Sequence, residues 1–303
     1  MKINRVNSIS IVAVFAGLVV ASALAELGLQ QILTGQGTAA ADQAVRTAVR
    51  AVYANNTDSA VIQGMLRAIL VEAETTGNQM AISDVIQSMM QISAEQGAAA
   101  VGQAAATAAS VVYAGAASTT PEVTQSQLGA ILNGAASGGT PPAVLNAAIV
   151  SVMQSSAEQG AAAVGQAAAT AASVVYAGAA STTPEVTQSQ LSTIVGTVAQ
   201  GGNEASLNGA VVGVLTAGGT QNIDLGVAAI NSAAPNNEAV ANTIAQTAPL
   251  VTNETPVPPP STPTTPTTPT TDTPPGGGTG SGGGTGGDVG PGTTPVDPPA
   301  TPV

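Results

Sequence analysis

Between residues 98 and 117 the apolar side chains Val101, Ala105, Ala108 and Val112 recur at spacings of four, three and four, while Gln103, Thr107 and Ser110 recur at four and three. Two such registers are separate faces of one amphipathic α-helix, predicted to run from about Ala98 to Ala117. Ser110-Val111-Val112-Tyr113 read alone has the β-branched and aromatic content of a short strand, but the alanine-rich surroundings favour helix. A second helix is predicted from Thr120-Pro121-Glu122. Threonine can accept from a free backbone N–H, proline already holds the helical φ, and glutamate opposes the positive helix end. Leu128, Ile131 and Leu132 form its apolar side, and Gly138-Gly139 ends it. A third opens at Thr140-Pro141-Pro142 and carries Val144, Leu145, Ile149, Val152 and Met153. No breaker precedes Gly160, so the pattern allows it to run on into the next helix.

The pattern recurs. Residues 93 to 128 return letter for letter at 156 to 191, a 36-residue identity 63 positions apart. An older copy is visible through Thr47/Thr107, Val52/Val112 and Tyr53/Tyr113, each pair 60 apart, and Leu145-Asn146-Ala147 is echoed 62 later by Leu207-Asn208-Gly209. These registers predict an all-α chain of tandem three-helix repeats of about 60–63 residues: repeat 1 over 36–95, repeat 2 over 96–158, repeat 3 over 159–220, and a degenerate capping fragment over 221–249. A unit of this kind buries its apolar stripe against its neighbours, which gives a one-dimensional Ala-rich array.

Both ends of the chain differ from this middle. Lys2 and Arg5, the apolar run from Ile11 to Val20 and Ala23-Leu24-Ala25 read as a signal peptide over 1–25, followed by a lead-in over 26–35. From 250 to 303 the sequence is Pro/Thr-rich, then glycine-rich, then proline-rich, a composition expected to stay disordered. Export is the expected destination, and no integral membrane span is expected after signal cleavage.

Charge narrows the chemistry. Without residues 1–25, Arg46, Arg50 and Arg67 face 17 carboxylates, and no Lys, Arg or His occurs from 68 to 303. Nucleic acid and anionic lipid are poor partners for such a surface. With no His and no Cys, imidazole and thiolate nucleophiles and metal sites are excluded, so no cofactor and no metal is expected.

Four sets of residues remain as candidates. Tyr53, Tyr113 and Tyr176 share one repeat position and form either a ladder for a polymer or neighbouring chain, or helix-end residues packing on the next helix. Gln103, Thr107 and Ser110, with Gln166, Thr170 and Ser173, form equivalent polar rows, read either as a face for glycan or ice or as a solvated surface. Glu122, Glu185, Glu95 and Glu158 could in principle bind Ca²⁺ or hydrolyse a glycoside, yet Glu122 and Glu185 are explained by helix starts. Gly283 to Val289 fits a single Ca²⁺-binding β-roll turn, which cannot work in one copy. The functional expectation is an exported, non-enzymatic structural or adhesive protein of a bacterial surface, envelope or matrix, with self-association or an envelope or matrix polymer as partner. The alternative is a binding module for glycan, ice or a partner protein, and the least favoured is a carboxylate-dependent hydrolase.

Overall fold

A computed structural model describes residues 38–75, 79–137, 142–201 and 203–252. The expected signal peptide and lead-in, and the tail from 253 onward, lie outside the described residues. Ten α-helices account for the described chain: α1 (Thr38–Asn55), α2 (Ser59–Thr75), α3 (Gln79–Gln96), α4 (Ala98–Gly115), α5 (Pro121–Ala136), α6 (Pro142–Gln159), α7 (Ala161–Gly178), α8 (Pro184–Ala199), α9 (Glu204–Ala233) and α10 (Glu238–Thr252). No strand occurs among the described residues, and Ser110 to Tyr113 lie within α4.

Local chemistry sets the boundaries. The helix that the sequence allowed to continue past Gln159 instead stops there, because Gly160 takes φ 102°, as Gly97 does before α4. Nothing stands within 4 Å of where a Cβ would be at either glycine, so the left-handed backbone and not crowding is what asks for glycine. Pro121 and Pro184 open α5 and α8 as expected. The threonine cap is realised in only one of the two: the Thr183 hydroxyl accepts from the Val186 N–H at 3.4 Å, whereas Thr120 makes no side-chain cap bond. Ser137 ends α5 by donating its N–H to the Asn133 carbonyl at 2.9 Å, ahead of the expected glycine pair. The 30-residue α9 is two arms joined at Gly219, whose φ of 56° and ψ of −164° are not helical. α10 continues to Thr252, three residues into the stretch expected to be tail.

Each helix packs on the next in sequence, and α1 to α7 each also pack on the next but one. The result is two rows. α1, α3, α5, α7 and the first arm of α9 follow one another in one row; α2, α4, α6, α8 and the second arm of α9 follow in the other. α4 therefore has neighbours on several sides, and Val101, Ala104, Ala105, Ala108 and Ala109 are all fully buried. One apolar stripe was the expectation; the second row widens the buried face to take in Thr107, Ala109 and Val111.

The core is built from Ala, Val, Leu, Ile and Met. Alanine removes little apolar area from water, so attraction between helices depends on close approach. Polar clips add direction at the first row. Arg46 donates to Asp42 at 2.8 Å and also bonds Gln91 of α3, Ser88 of α3 bonds Asp42, and Arg50 pairs with Glu95 at 3.2 Å. Burial pushes the Asp42 carboxyl upward, but the Ser88 hydroxyl and the Arg46 guanidinium outweigh it and hold it below its ordinary value.

Candidate functional site

The three tyrosines sit where the first helix of a sequence copy meets the end of the third. The Tyr53 hydroxyl bonds Ser93 at 2.7 Å and lies 3.5 Å from the Ala100 carbonyl; the Tyr113 hydroxyl bonds Ser156. Tyr176 has no such partner among the described residues. The position that holds Ser93 and Ser156 is occupied by Gly218, and a Cβ there would lie 2.9 Å from the Tyr176 ring and hydroxyl. Burial pushes the Tyr176 phenol up to about 12. Burial raises Tyr53 and Tyr113 as well, with the serine hydrogen bonds pulling each partly back. All three rings are partly buried in the core, and they alternate between rows because three helices make a copy and two make a layer. Tyr53 and Tyr176 are in one row and Tyr113 in the other.

The Gln/Thr/Ser set divides. Thr107 and Thr170 are buried, each donating its hydroxyl to the carbonyl four residues back at 2.9 Å, so these two do not lie on the solvated face considered for them. Gln103 reaches the Ser59 hydroxyl at 2.6 Å and Gln166 reaches the Pro121 carbonyl at 2.6 Å, each tying a first helix to the start of the second helix before it. Ser110 and Ser173 are exposed, with their hydroxyls turned onto helix carbonyls.

The carboxylates are dispersed. Glu122 and Glu185 are exposed at the starts of α5 and α8, in different rows, and their own backbone N–H groups and the preceding threonine hydroxyls hold both below the usual glutamate value. Glu95 is engaged by Arg50. Among the described residues no group of three or more acids stands close enough to hold a metal ion.

Two grooves lie beside these residues, and the sequence reading missed their other walls. One, of about 320 Å³, runs between α2 and α4 and is lined by Ala60, Gln63, Gly64 and Arg67 opposite Thr107 and Ser110. The other, of about 590 Å³, follows the outer side of α8 between α6 and the second arm of α9. They are equivalent places: Ala60, Gln63, Gly64 and Arg67 correspond in repeat position to Glu185, Gln188, Ser189 and Ser192, and Ser110 to Ser232, all of which line the second groove. The signal for this was present in the sequence as the departures of α8 from α5 after their shared Pro-Glu-Val-Thr-Gln-Ser-Gln-Leu.

No protein family, curated protein or solved structure matches the chain. Ala98–Ser118 and Ala161–Ser181 are long and apolar enough by length and composition to cross a bilayer, a test that a helix in the core of a soluble protein also passes.

Proposed function

We propose that the chain is an exported, non-enzymatic structural or adhesive repeat protein of a bacterial surface, envelope or matrix, in which three-helix units form an extendable array and residues 253–303 act as a spacer. The observation that carries this reading is the packing: helices bury their apolar sides against partners one or two places away in sequence, so more units lengthen the array without enclosing a central chamber. Equivalent contacts at equivalent positions support it, among them Tyr53 with Ser93 and Tyr113 with Ser156. Past Gly219 the second arm of α9 stands where the first helix of a fourth unit would begin, with Gly219, Ile223, Ile230 and Ser232 in the places of Gly97, Val101, Ala108 and Ser110. Units with little polar chemistry suit roles in which length and multiplicity matter more than a reactive pocket.

Light scattering and electron microscopy of the processed protein test the structural role. Concentration-dependent assembly or filaments are expected, and a strictly monomeric species across the accessible range removes self-assembly from the reading. The repeat itself is tested by excising residues 96–158, which rejoins Ala94-Glu95 to Gln159-Gly160 and so preserves the natural junction sequence. Far-ultraviolet circular dichroism per residue of the helical region is expected to be unchanged, with a lower unfolding midpoint from the loss of one set of neighbour contacts. Collapse of the helical signal would mean that the copies are not interchangeable units.

A second reading, a binding module for a glycan or protein partner, is favoured by the recurrence of the groove at equivalent positions.

A further inference from the structure

The groove over α8 has a physical origin in four substitutions. α5 and α8 share their first eight residues and then part: Gly129 becomes Ser192, Ala130 becomes Thr193, Asn133 becomes Gly196 and Gly134 becomes Thr197. In α5 a Cβ on Gly134 would stand 2.6 Å from the Met90 Cβ and 2.7 Å from the Gln87 carbonyl oxygen, so α5 lies tight against α3. In α8 the same place holds Thr197, and α8 approaches α6 less closely than α5 approaches α3. The threonine props the helices apart. The space it opens is part of the groove of about 590 Å³, lined by Val150 and Gln154 of α6 and by Thr197 itself. Ile131 and Leu132 stay apolar and buried as Ile194 and Val195, whereas Ala130 and Gly134, buried in α5, are replaced by the half-buried Thr193 and Thr197 on the wall of the groove.

What faces the groove is one chemical type. Gln154, Gln188, Ser189 and Ser192 present amides and hydroxyls, groups that both donate and accept, while Thr193 and Thr197, whose hydroxyls donate to the Ser189 and Thr193 carbonyls at 2.9 and 2.7 Å, offer acceptors. The one charge is the Glu185 carboxylate, held ionised at the start of α8. An anionic polymer has no cation to meet, since none occurs beyond Arg67. An apolar peptide anchor has little to fill, because Val150 and Gly196 are the only lining residues without a polar side chain. A primary amide spans two vicinal hydroxyls with one donor and one acceptor, and serine hydroxyls reorient to suit either role. The geometry points to a binding site for a neutral oligosaccharide along α8.

This inference deepens the binding reading and is independent of whether the array assembles. No aromatic ring lines the groove to stack on a sugar face, so each site depends on hydrogen bonds alone and has a dissociation constant on the order of 1 mM. The smaller groove between α2 and α4 lies in the same row, which gives a linear glycan a second point of attachment and avidity from modest sites.

The test uses the full chain and saturation-transfer NMR with neutral hexasaccharides of α-1,4-glucan, β-1,4-glucan, β-1,4-xylan and β-1,4-mannan, and a capped Ser/Gly hexapeptide as the peptide probe. At least one hexasaccharide is expected to receive saturation. The decisive variant is Ser192→Gly with Thr193→Ala and Thr197→Gly, which puts at these three positions the side chains that α5 carries at 129, 130 and 134. With helicity unchanged by circular dichroism, its affinity for the hexasaccharide should fall by about tenfold or more. Silence from all four sugars at about ten times the expected dissociation constant overturns the proposal, as does binding that persists in the variant. Saturation of the peptide alone would assign the groove to a polypeptide instead. Light scattering reads assembly separately, so the array and the site can fail independently.

Discussion

Gly213→Leu is expected to lower the unfolding free energy by about 3 kcal/mol, with the loss concentrated between α7 and α9. A Cβ at Gly213 would meet the Ala169 backbone nitrogen and the Gly165 carbonyl oxygen at 2.7 Å, and the Ala168 Cβ at 3.0 Å. Two of those three atoms are main chain and cannot rotate away. A Cβ at Gly209 would stand 3.0 Å from the Ala161 carbonyl oxygen and 3.4 Å from Gly165, so the two helices touch backbone to backbone along three glycines. Replacing a mid-helix glycine by a side chain gains up to about 1 kcal/mol of helix propensity, while forcing methylenes into a filled interface costs about 1–3 kcal/mol or more. Overpacking wins at Gly213. At Gly64, where nothing lies within 4 Å of the added Cβ, the propensity term stands alone and Gly64→Ala should stabilise by up to about 1 kcal/mol. Denaturant unfolding followed by circular dichroism reads both, and a stabilised Gly213→Leu would mean that α7 and α9 do not meet at these glycines.

That contact also shows what a sequence copy leaves undetermined. α4 and α7 are identical in sequence, yet a Cβ on Gly102 of α4 would have ordinary room, with the Ser151 Oγ at 3.5 Å and the Ala147 Cβ at 3.8 Å. On the partner helix, Ala147 and Ser151 have become Gly209 and Gly213. Helix identity follows from periodicity and starts from proline and acid, all local signals legible at Val101 to Val112 and at Thr120-Pro121-Glu122. Interhelical distance is set by the partner, and pairing partners are not encoded locally. The two-row order was invisible for the same reason: a three-helix period in sequence says nothing about whether successive copies face the same way. Because layers alternate every helix, identical residues such as Gln103 and Gln166 end up in opposite rows, as do Tyr113 and Tyr176. Gly160 shows the limit at a boundary, since its residue type permits a break but only its φ of 102° requires one. The groove over α8 lay in plain view as Ser192, Thr193 and Thr197, but its depth depends on how far α6 stands away.

Raising the pH should expose the tyrosines as the fold's alkaline weakness. The chain has no Cys or His and its one lysine is Lys2, so among residues 38–252 the groups that titrate between neutrality and pH 12 are Tyr53, Tyr113 and Tyr176. Burial raises all three above the ordinary value of 10.0, and Tyr176 reaches about 12. Above pH 10 the unfolded chain therefore gives up protons that the folded chain retains, and proton release favours unfolding. Stability should be level up to about pH 10, then fall as the pH climbs toward 12, where the Tyr176 contribution to the slope ends. Phenylalanine variants separate the three at neutral pH by sign. Tyr113→Phe breaks the bond to Ser156 and should cost about 1 kcal/mol, as should Tyr53→Phe through Ser93. Tyr176→Phe removes a buried hydroxyl that has no partner among the described residues, and it should gain about 1 kcal/mol. Each variant also flattens its share of the alkaline decline. Thermal or denaturant unfolding at pH 7 and in steps from 9.5 to 12 reads both effects. A Tyr176→Phe protein less stable than its parent at pH 7 would place a hydrogen-bond partner on that hydroxyl and make the third junction like the first two.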